Sequence, residues 1–261
     1  MSLIVTTEAV VLKSMKYRET SKIVTLFTKK FGKISAIVKG ARGSKSKYGS
    51  SLEPMSYVSV VLYKKEGREL QTVSQCDKMK SFRQLTEDID KIAVGLSVVE
   101  VVTIVAHEEE NPSLFKLLLD TLSAIDTTEK NAVNYFYNFQ IHLTRILGFQ
   151  PVFDKCISCD SEIFSKSVQL ESILYHLARG GPLCRNCAHE PGNKMKLTIK
   201  VFRILERFST GSALAGIQNI EIDPKSKIEI ENFLWSYLKY HVTGFRTLKS
   251  RKVFSAVLGN V

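Results

Sequence analysis

The chain has 261 residues, 44% of them hydrophobic, so it can bury a core and folds as an ordinary globular protein. Its net charge of +11 resides entirely in residues 1–83, where 17 Lys and Arg face 6 Asp and Glu, while residues 84–261 balance at 20 against 20. That asymmetry points to a polyanionic partner, nucleic acid ahead of an anionic membrane surface, and no run approaches the roughly 20 apolar residues that span a bilayer.

The N-terminus, Met1-Ser2-Leu3-Ile4-Val5-Thr6-Thr7, has neither the basic start nor the cleavage site of a secretory signal, so a cytoplasmic protein is expected. Five strand-like runs follow, at 8–13, 22–28, 33–39, 57–64 and 70–76, separated by Gly32, Gly67 or polar clusters. Five short strands within about 80 residues suit a small closed barrel. The five-stranded OB-fold, the commonest such barrel for single-stranded nucleic acid, is the expectation ahead of an SH3-like barrel.

Between the third and fourth runs lies Lys39-Gly40-Ala41-Arg42-Gly43-Ser44-Lys45-Ser46-Lys47-Tyr48-Gly49, rich in cations and glycines and held at both ends by sheet. Glycines let the backbone come close to a ligand, and Lys and Arg supply charge and donors to phosphate oxygens. Lys39, Arg42, Lys45, Lys47 and Tyr48 are therefore predicted to bind DNA, with Lys13, Lys16 and Arg18 on a neighbouring strand end and loop adding to the same face. The aromatics available for stacking on bases are Tyr17, Phe31, Tyr48 and Tyr57, although Phe27 and some of these equally suit a core. A solvated surface loop has the same composition; the concentration of all the net charge in this third of the chain favours the binding reading. The loop is not a nucleotide-binding P-loop, because Ser44 stands where that motif requires Gly before Lys45.

Beyond Phe82 the apolar spacing changes from period two to helical. Ile89, Ile92, Ala93, Leu96, Val99, Val102, Thr103 and Ala106 predict a buried helix. Asn111 caps a second, with Pro112 at its first position and Leu114, Leu117, Leu118 and Leu122 along it. Thr127 or Thr128 is the expected cap of a third, which ends at Gly148. Residues 198–208 and 225–241 read as further helices, with Phe202, Leu205, Phe233, Leu234, Tyr237 and Leu238 toward a core. The predicted organisation is a barrel over 1–82 and an α-helical domain over 83–261, with an insertion at about 152–192.

That insertion carries Cys156-Ile157-Ser158-Cys159 and Cys184-Arg185-Asn186-Cys187. Two C-x-x-C turns, each pointing two thiolates at one ion, complete the tetrahedron of a structural zinc site, and a reducing compartment favours metal over disulfides. Four sulfur ligands leave no open coordination position for catalysis. Gly180-Gly181-Pro182 supplies a tight approach before the second pair, and the long intervening segment calls for a small hairpin or an extra helical turn. A redox dithiol would need a βαβ setting that is absent, His176 and His189 are by default surface histidines, and Cys76 is expected to be a buried strand residue. No Ser-His-Asp arrangement, H-E-x-x-H or G-x-S-x-G occurs, and Glu108-Glu109-Glu110 lacks the spacing of a two-metal site, so no enzyme is predicted.

Several ordered motifs together resemble the RecO family of bacterial recombinational repair proteins. They are Glu8-Ala9-Val10-Val11-Leu12, Tyr17-Arg18-Glu19-Thr20-Ser21, Thr25-Leu26-Phe27-Thr28, Lys39-Gly40-Ala41-Arg42 and Leu52-Glu53-Pro54 in the barrel segment. Asn111-Pro112-Ser113-Leu114-Phe115, Leu147-Gly148-Phe149-Gln150-Pro151, the two cysteine pairs with Gly180-Gly181, and Leu248-Lys249-Ser250-Arg251 extend it. The chain departs from the family pattern at Asp160, where a Gly usually follows the second cysteine, and in its long segment between the cysteine pairs.

The resemblance implies an N-terminal OB domain, then a helical domain with an inserted zinc knuckle holding one structural Zn(2+). It further implies a mediator that binds ssDNA and dsDNA and anneals complementary strands. Together with RecR and RecF, such a mediator loads RecA on DNA covered by single-strand-binding protein, in the cytoplasm at the nucleoid. The acidic tail of single-strand-binding protein would dock in an apolar groove between helices, with Lys116 and Arg145 as rim cations. The competing readings are a zinc-stabilised RNA-binding factor and a non-catalytic subunit of a nucleic-acid enzyme.

Overall fold

The computed structural model describes residues 2–43, 46, 48–164, 171–210, 214 and 216–245. The chain divides into two compact units, one ending at Thr127 and the other beginning at Thr128. The helices before Thr128 thus group with the barrel, whereas the change in hydrophobic period falls at residue 82. Period reports the type of element and not the core on which it packs.

In the first unit, β1 (Ser2–Tyr17), β2 (Ser21–Thr28), β3 (Gly32–Val38), β4 (Tyr57–Lys65) and β5 (Leu70–Lys80) close a barrel in the order β1-β2-β3-β5-β4. β3 and β5 run parallel and the other neighbours antiparallel, which is the OB-fold arrangement. β1 is far longer than the predicted run 8–13 because it serves two sides. Its residues from Ser2 to Val10 pair with β4 and those from Ala9 to Tyr17 pair with β2, the register shifting between Val11 and Lys13. Alternate residues Val24 and Leu26, Ile34, Ala36 and Val38, and Val58, Val60 and Leu62 fill the interior, as the period of two requires.

Three helices complete this unit: α1 (Arg83–Glu87), α2 (Ile89–Val105) and α3 (Pro112–Thr127). The Asp88 side chain accepts from the backbone of Asp90 and Lys91 to cap α2, and Asn111 Oδ1 accepts from Leu114 N at 2.9 Å to cap α3 as predicted. Phe115 of α3 lies 6.0 Å from Phe27 and 6.4 Å from Tyr57 between ring centroids. Residues 107–109, which follow α2, cross the β2–β3 turn so closely that Lys33 N donates to His107 O at 2.7 Å, and a Cβ on Gly32 would stand 2.1 Å from Glu109 O. Gly32, at φ +63°, is the residue that permits both the turn and this approach.

The second unit contains α4 (Ala132–Ile146), α5 (Ile199–Thr210), α6 (Pro224–His241) and a three-stranded sheet of β6 (Ser172–His176), β7 (Gly181–Leu183) and β8 (Lys194–Thr198) in the order β7-β6-β8. Neither Thr127 nor Thr128 caps α4; Asn131 precedes it, and Thr128 Oγ1 is engaged by Lys130 O and by Gln218 Oε1. Its core is aromatic, with Phe153 edge-on to Phe202 at 5.4 Å and Tyr175 edge-on to Phe233 at 4.9 Å. Among the described residues no helix is long and apolar enough to cross a membrane.

Candidate nucleic-acid interface and metal centre

Strand register gathers the barrel's cations. Lys16 on β1 is opposite Lys22 on β2, which is opposite Val38 on β3, so Lys16, the β1–β2 turn and Lys39 share one end of the barrel. The β3–β4 loop is tied to that turn: Arg42 N donates to Thr20 O at 2.9 Å and Arg42 Nη1 to Arg18 O at 2.7 Å. Arg18 itself holds a left-handed φ of +51°, and its guanidinium lies over the Tyr17 ring at 5.2 Å. Lys13, Lys16, Arg18, Lys39 and Arg42 are all exposed. Lys22, by contrast, is paired with Glu53 at 2.6 Å and Lys29 with Glu8 at 2.9 Å. Lys45 and Lys47 lie outside the described residues, as do Leu248-Lys249-Ser250-Arg251.

Tyr48 corrects the expectation of a surface aromatic. It is 6% exposed and belongs to the barrel core, its hydroxyl donating to Ser74 O, so it has no free face for a base. Tyr57 is likewise committed: its hydroxyl donates to Glu8 Oε2, and burial, then that bond, pushes its pKa up to about 12. Tyr17 and Phe31 remain half-buried. Lys65 and Arg68 are exposed and Lys64 half-buried at the β4–β5 turn, cations that the sequence marks only by a charged turn at Gly67. Lys116 and Arg145 are exposed on α3 and α4; Lys116 pairs with Asp120 at 2.6 Å and Arg145 Nε donates to Gln150 Oε1 at 2.9 Å.

In the second unit the four predicted cysteines converge, with the sulfurs of Cys156, Cys159, Cys184 and Cys187 all within 4.8 Å of one another. Metal–sulfur bonds of about 2.3 Å in a tetrahedron put sulfurs about 3.8 Å apart. Cys159 and Cys184 are separated by 3.6 Å, so the set fits a metal ion. Backbone bonds shape both turns: Cys156 N donates to Ser161 O, Asp160 N to Cys156 O, and Cys187 N to Cys184 O. Asp160 adopts φ +57°, a left-handed conformation that glycine takes most readily and that Asp tolerates. β6 and β7 form the predicted hairpin, and Ile157 N donates to Pro182 O to hold one turn against it. A Cβ on Gly181 would fall 2.8 Å from that of Ile157, which is the tight approach foreseen there.

The thiols compete for hydrogen bonds. Those to the Ser161 side chain and backbone lower Cys159, while Cys187 is pushed up by bonds to Cys159 and Cys184. Burial opposes ionisation of Cys184, but bonds from the Cys187 backbone and from Ser161, Cys159 and Cys187 side chains bring it down to about 6. Metal binds the thiolate form, which these bonds favour at Cys159 and Cys184 and oppose at Cys187, so an ion held here would have to displace the Cys187 proton. Cys76 is apart from it, 4% exposed in the barrel core with its pKa raised to about 12 by burial.

Comparison with known proteins gives matches along nearly the whole chain. The family described as Recombination protein O N terminal matches residues 1–82, and that described as Recombination protein O C terminal matches residues 86–252. A DNA repair protein RecO of Salinibacter ruber is 33% identical over 258 residues, covering 98% of this chain and 95% of that protein. Those of Chloroherpeton thalassium and Alkaliphilus metalliredigens are 29% and 30% identical, covering 97% and 96% of this chain and 98% and 99% of theirs. The chain therefore belongs to the RecO family of DNA repair proteins.

Proposed function

We propose that this protein is a DNA-binding recombination mediator. It binds ssDNA and dsDNA, anneals complementary strands and, with RecR and RecF, helps load RecA onto ssDNA coated by single-strand-binding protein, without covalent chemistry of its own. The observation that carries this reading is the closed OB barrel whose exposed Lys16, Arg18, Lys39 and Arg42 gather at one loop-bearing end, with exposed Lys13 further along β1 opposite Thr25. Unpaired cations on such a surface attract the phosphate backbone of any sequence, which is what annealing of arbitrary strands needs. Lys45 and Lys47 extend the same loop in sequence and are assigned the same role.

The proposed working modules are the barrel over 1–82 for DNA, the helical part for protein partners, and the cysteine segment as a stabilising knuckle. Cys156, Cys159, Cys184 and Cys187 would hold one structural Zn(2+), which supplies folding free energy and no reactive position. Lys116 of the first unit and Arg145 of the second are each assigned, separately, as a contact for the acidic tail of single-strand-binding protein. Work at the nucleoid in the cytoplasm follows from such partners. The test is annealing of complementary oligonucleotides coated with single-strand-binding protein. Acceleration by the full chain, lost when the coating protein lacks its tail, supports mediation; no acceleration on bare or coated strands refutes it.

A further inference from the structure

A cavity of about 380 Å³ opens on the barrel where β3 faces the β4–β5 turn, lined by Phe31, Lys33, Lys64, Lys65, Arg68 and Gln71 among others. The register places this turn at the start of β1, through Leu3 opposite Lys64, away from the β1–β2 turn. The turn is fixed before any ligand arrives. Gln71, only 7% exposed, accepts from Lys65 N at 2.8 Å and donates to the carbonyls of Lys65 at 3.1 Å and Arg68 at 2.5 Å. One buried amide thus spends all its close bonds on holding residues 65–68 in one shape, which is preorganisation of the kind that a binding site uses.

Phe31 packs partly on the barrel core and also lines the cavity, with Lys64 Nζ 5.2 Å from its ring centroid. Lys33 is already committed, donating to Thr103 O at 3.0 Å. Lys64, Lys65 and Arg68 form no ion pair among the described residues, although Glu66, Glu69 and Glu108 line the same space. Carboxylates beside cations disfavour a ligand that is only phosphate, and suit one that brings base edges as well as a phosphodiester. At about 380 Å³ the cavity is at the small end of ligand pockets, a size for one small unit and not for a double helix.

From this cavity we propose a single-strand-specific subsite, resting on the DNA-binding reading above. One unstacked nucleotide places its base against Phe31, and Lys64 moves from the ring to the phosphodiester. Arg68 and Lys65 hold the flanking phosphates. A duplex keeps its bases paired and stacked and cannot fill the subsite, so the barrel binds both forms through its loop cations and prefers single strands through this cavity.

The test uses the full chain and three labelled probes: an oligothymidylate, the same strand with abasic units throughout, and a duplex. Phe31→Leu keeps the packing volume but removes the aromatic face, and Arg68→Ala alters an exposed turn side chain that the fold does not need. Wild type should bind the abasic strand about tenfold more weakly than the oligothymidylate, from the usual worth of one base–aromatic stack. Phe31→Leu should lose about the same factor on the oligothymidylate, lose nothing further on the abasic strand, and bind duplex within about twofold of wild type. Arg68→Ala should weaken the oligothymidylate more than the duplex. Either variant binding single strands as wild type does, or losing both forms equally, overturns the subsite. Wild type that binds neither strand nor duplex overturns the DNA-binding reading itself.

Discussion

Replacing Lys13, Lys16, Lys39 and Arg42 by Ala should flatten the salt dependence of ssDNA binding. Each phosphate neutralised by a protein cation releases about 0.7 counterion per contact on a single strand, so four lost contacts lower the log–log slope by up to about 3. Between 50 and 200 mM salt, a slope lower by about 3 means roughly fiftyfold less change in affinity. All four are exposed and none is in an ion pair among the described residues; Arg42 spends one nitrogen on Arg18 O and keeps its other donors. The matched control is Lys194, Lys196, Lys200 and Arg203 replaced by Ala. There, Lys194 already donates to the carbonyls of Ala188 and Glu190, Lys200 is paired with Asp223 at 2.5 Å, and Arg203 is paired with Glu206 and lies over Phe164. Among the described residues only Lys196 of the control makes no such bond, so its slope should fall by no more than about 1. The assay is fluorescence anisotropy of a labelled oligonucleotide across a salt series, repeated with a second sequence to show that the loss is sequence-independent. A control slope that falls more than that of the barrel variant would refute the placement of the interface.

Three further outcomes are expected. Cys156→Ser should release metal, read by elemental analysis, and lower the melting temperature, because a structural ion contributes its binding free energy to folding; unchanged metal content and melting temperature would count against the site. Gly32→Ala should destabilise by about 2 kcal/mol or more in urea melts, since it adds a backbone collision at Glu109 O to a left-handed φ; Gly67→Ala, at φ +71° with nothing within 4 Å, should cost only about 1 kcal/mol, and equal losses would show that the close approach is not real. His142 has its pKa lowered, first by burial and then by Arg145, against a backbone bond to Phe208. The unfolded chain then binds the proton more readily, so stability should fall as pH drops below about 6.5 toward the lower folded value. His142→Gln should flatten that part of the stability–pH curve, and an unchanged curve would remove His142 as the cause.

Local chemistry made much of this molecule legible in its sequence. Period-two runs marked all five barrel strands, Asn111-Pro112 marked the start of α3, and the C-x-x-C spacing marked the four sulfurs that converge. Each of these signals is complete within a few residues, because alternation, capping and a two-cysteine turn depend on the chain's own geometry. What remained hidden depends on partners distant along the chain. Asn131 and not Thr128 precedes α4, and its side chain is drawn to the remote Gln218 O, while Tyr48 is lost to the interface because the barrel closes around it. β1 reaches 16 residues, well beyond the predicted run 8–13, because β4 and β2 pair with different parts of it. The cations along 13–42 were visible as charge, but strand register and the Arg42–Arg18 contact bring Lys16, Arg18, Lys39 and Arg42 to one end of the barrel. A sequence states which groups are available; which of them remain free for a ligand is decided when the remote contacts have taken the rest.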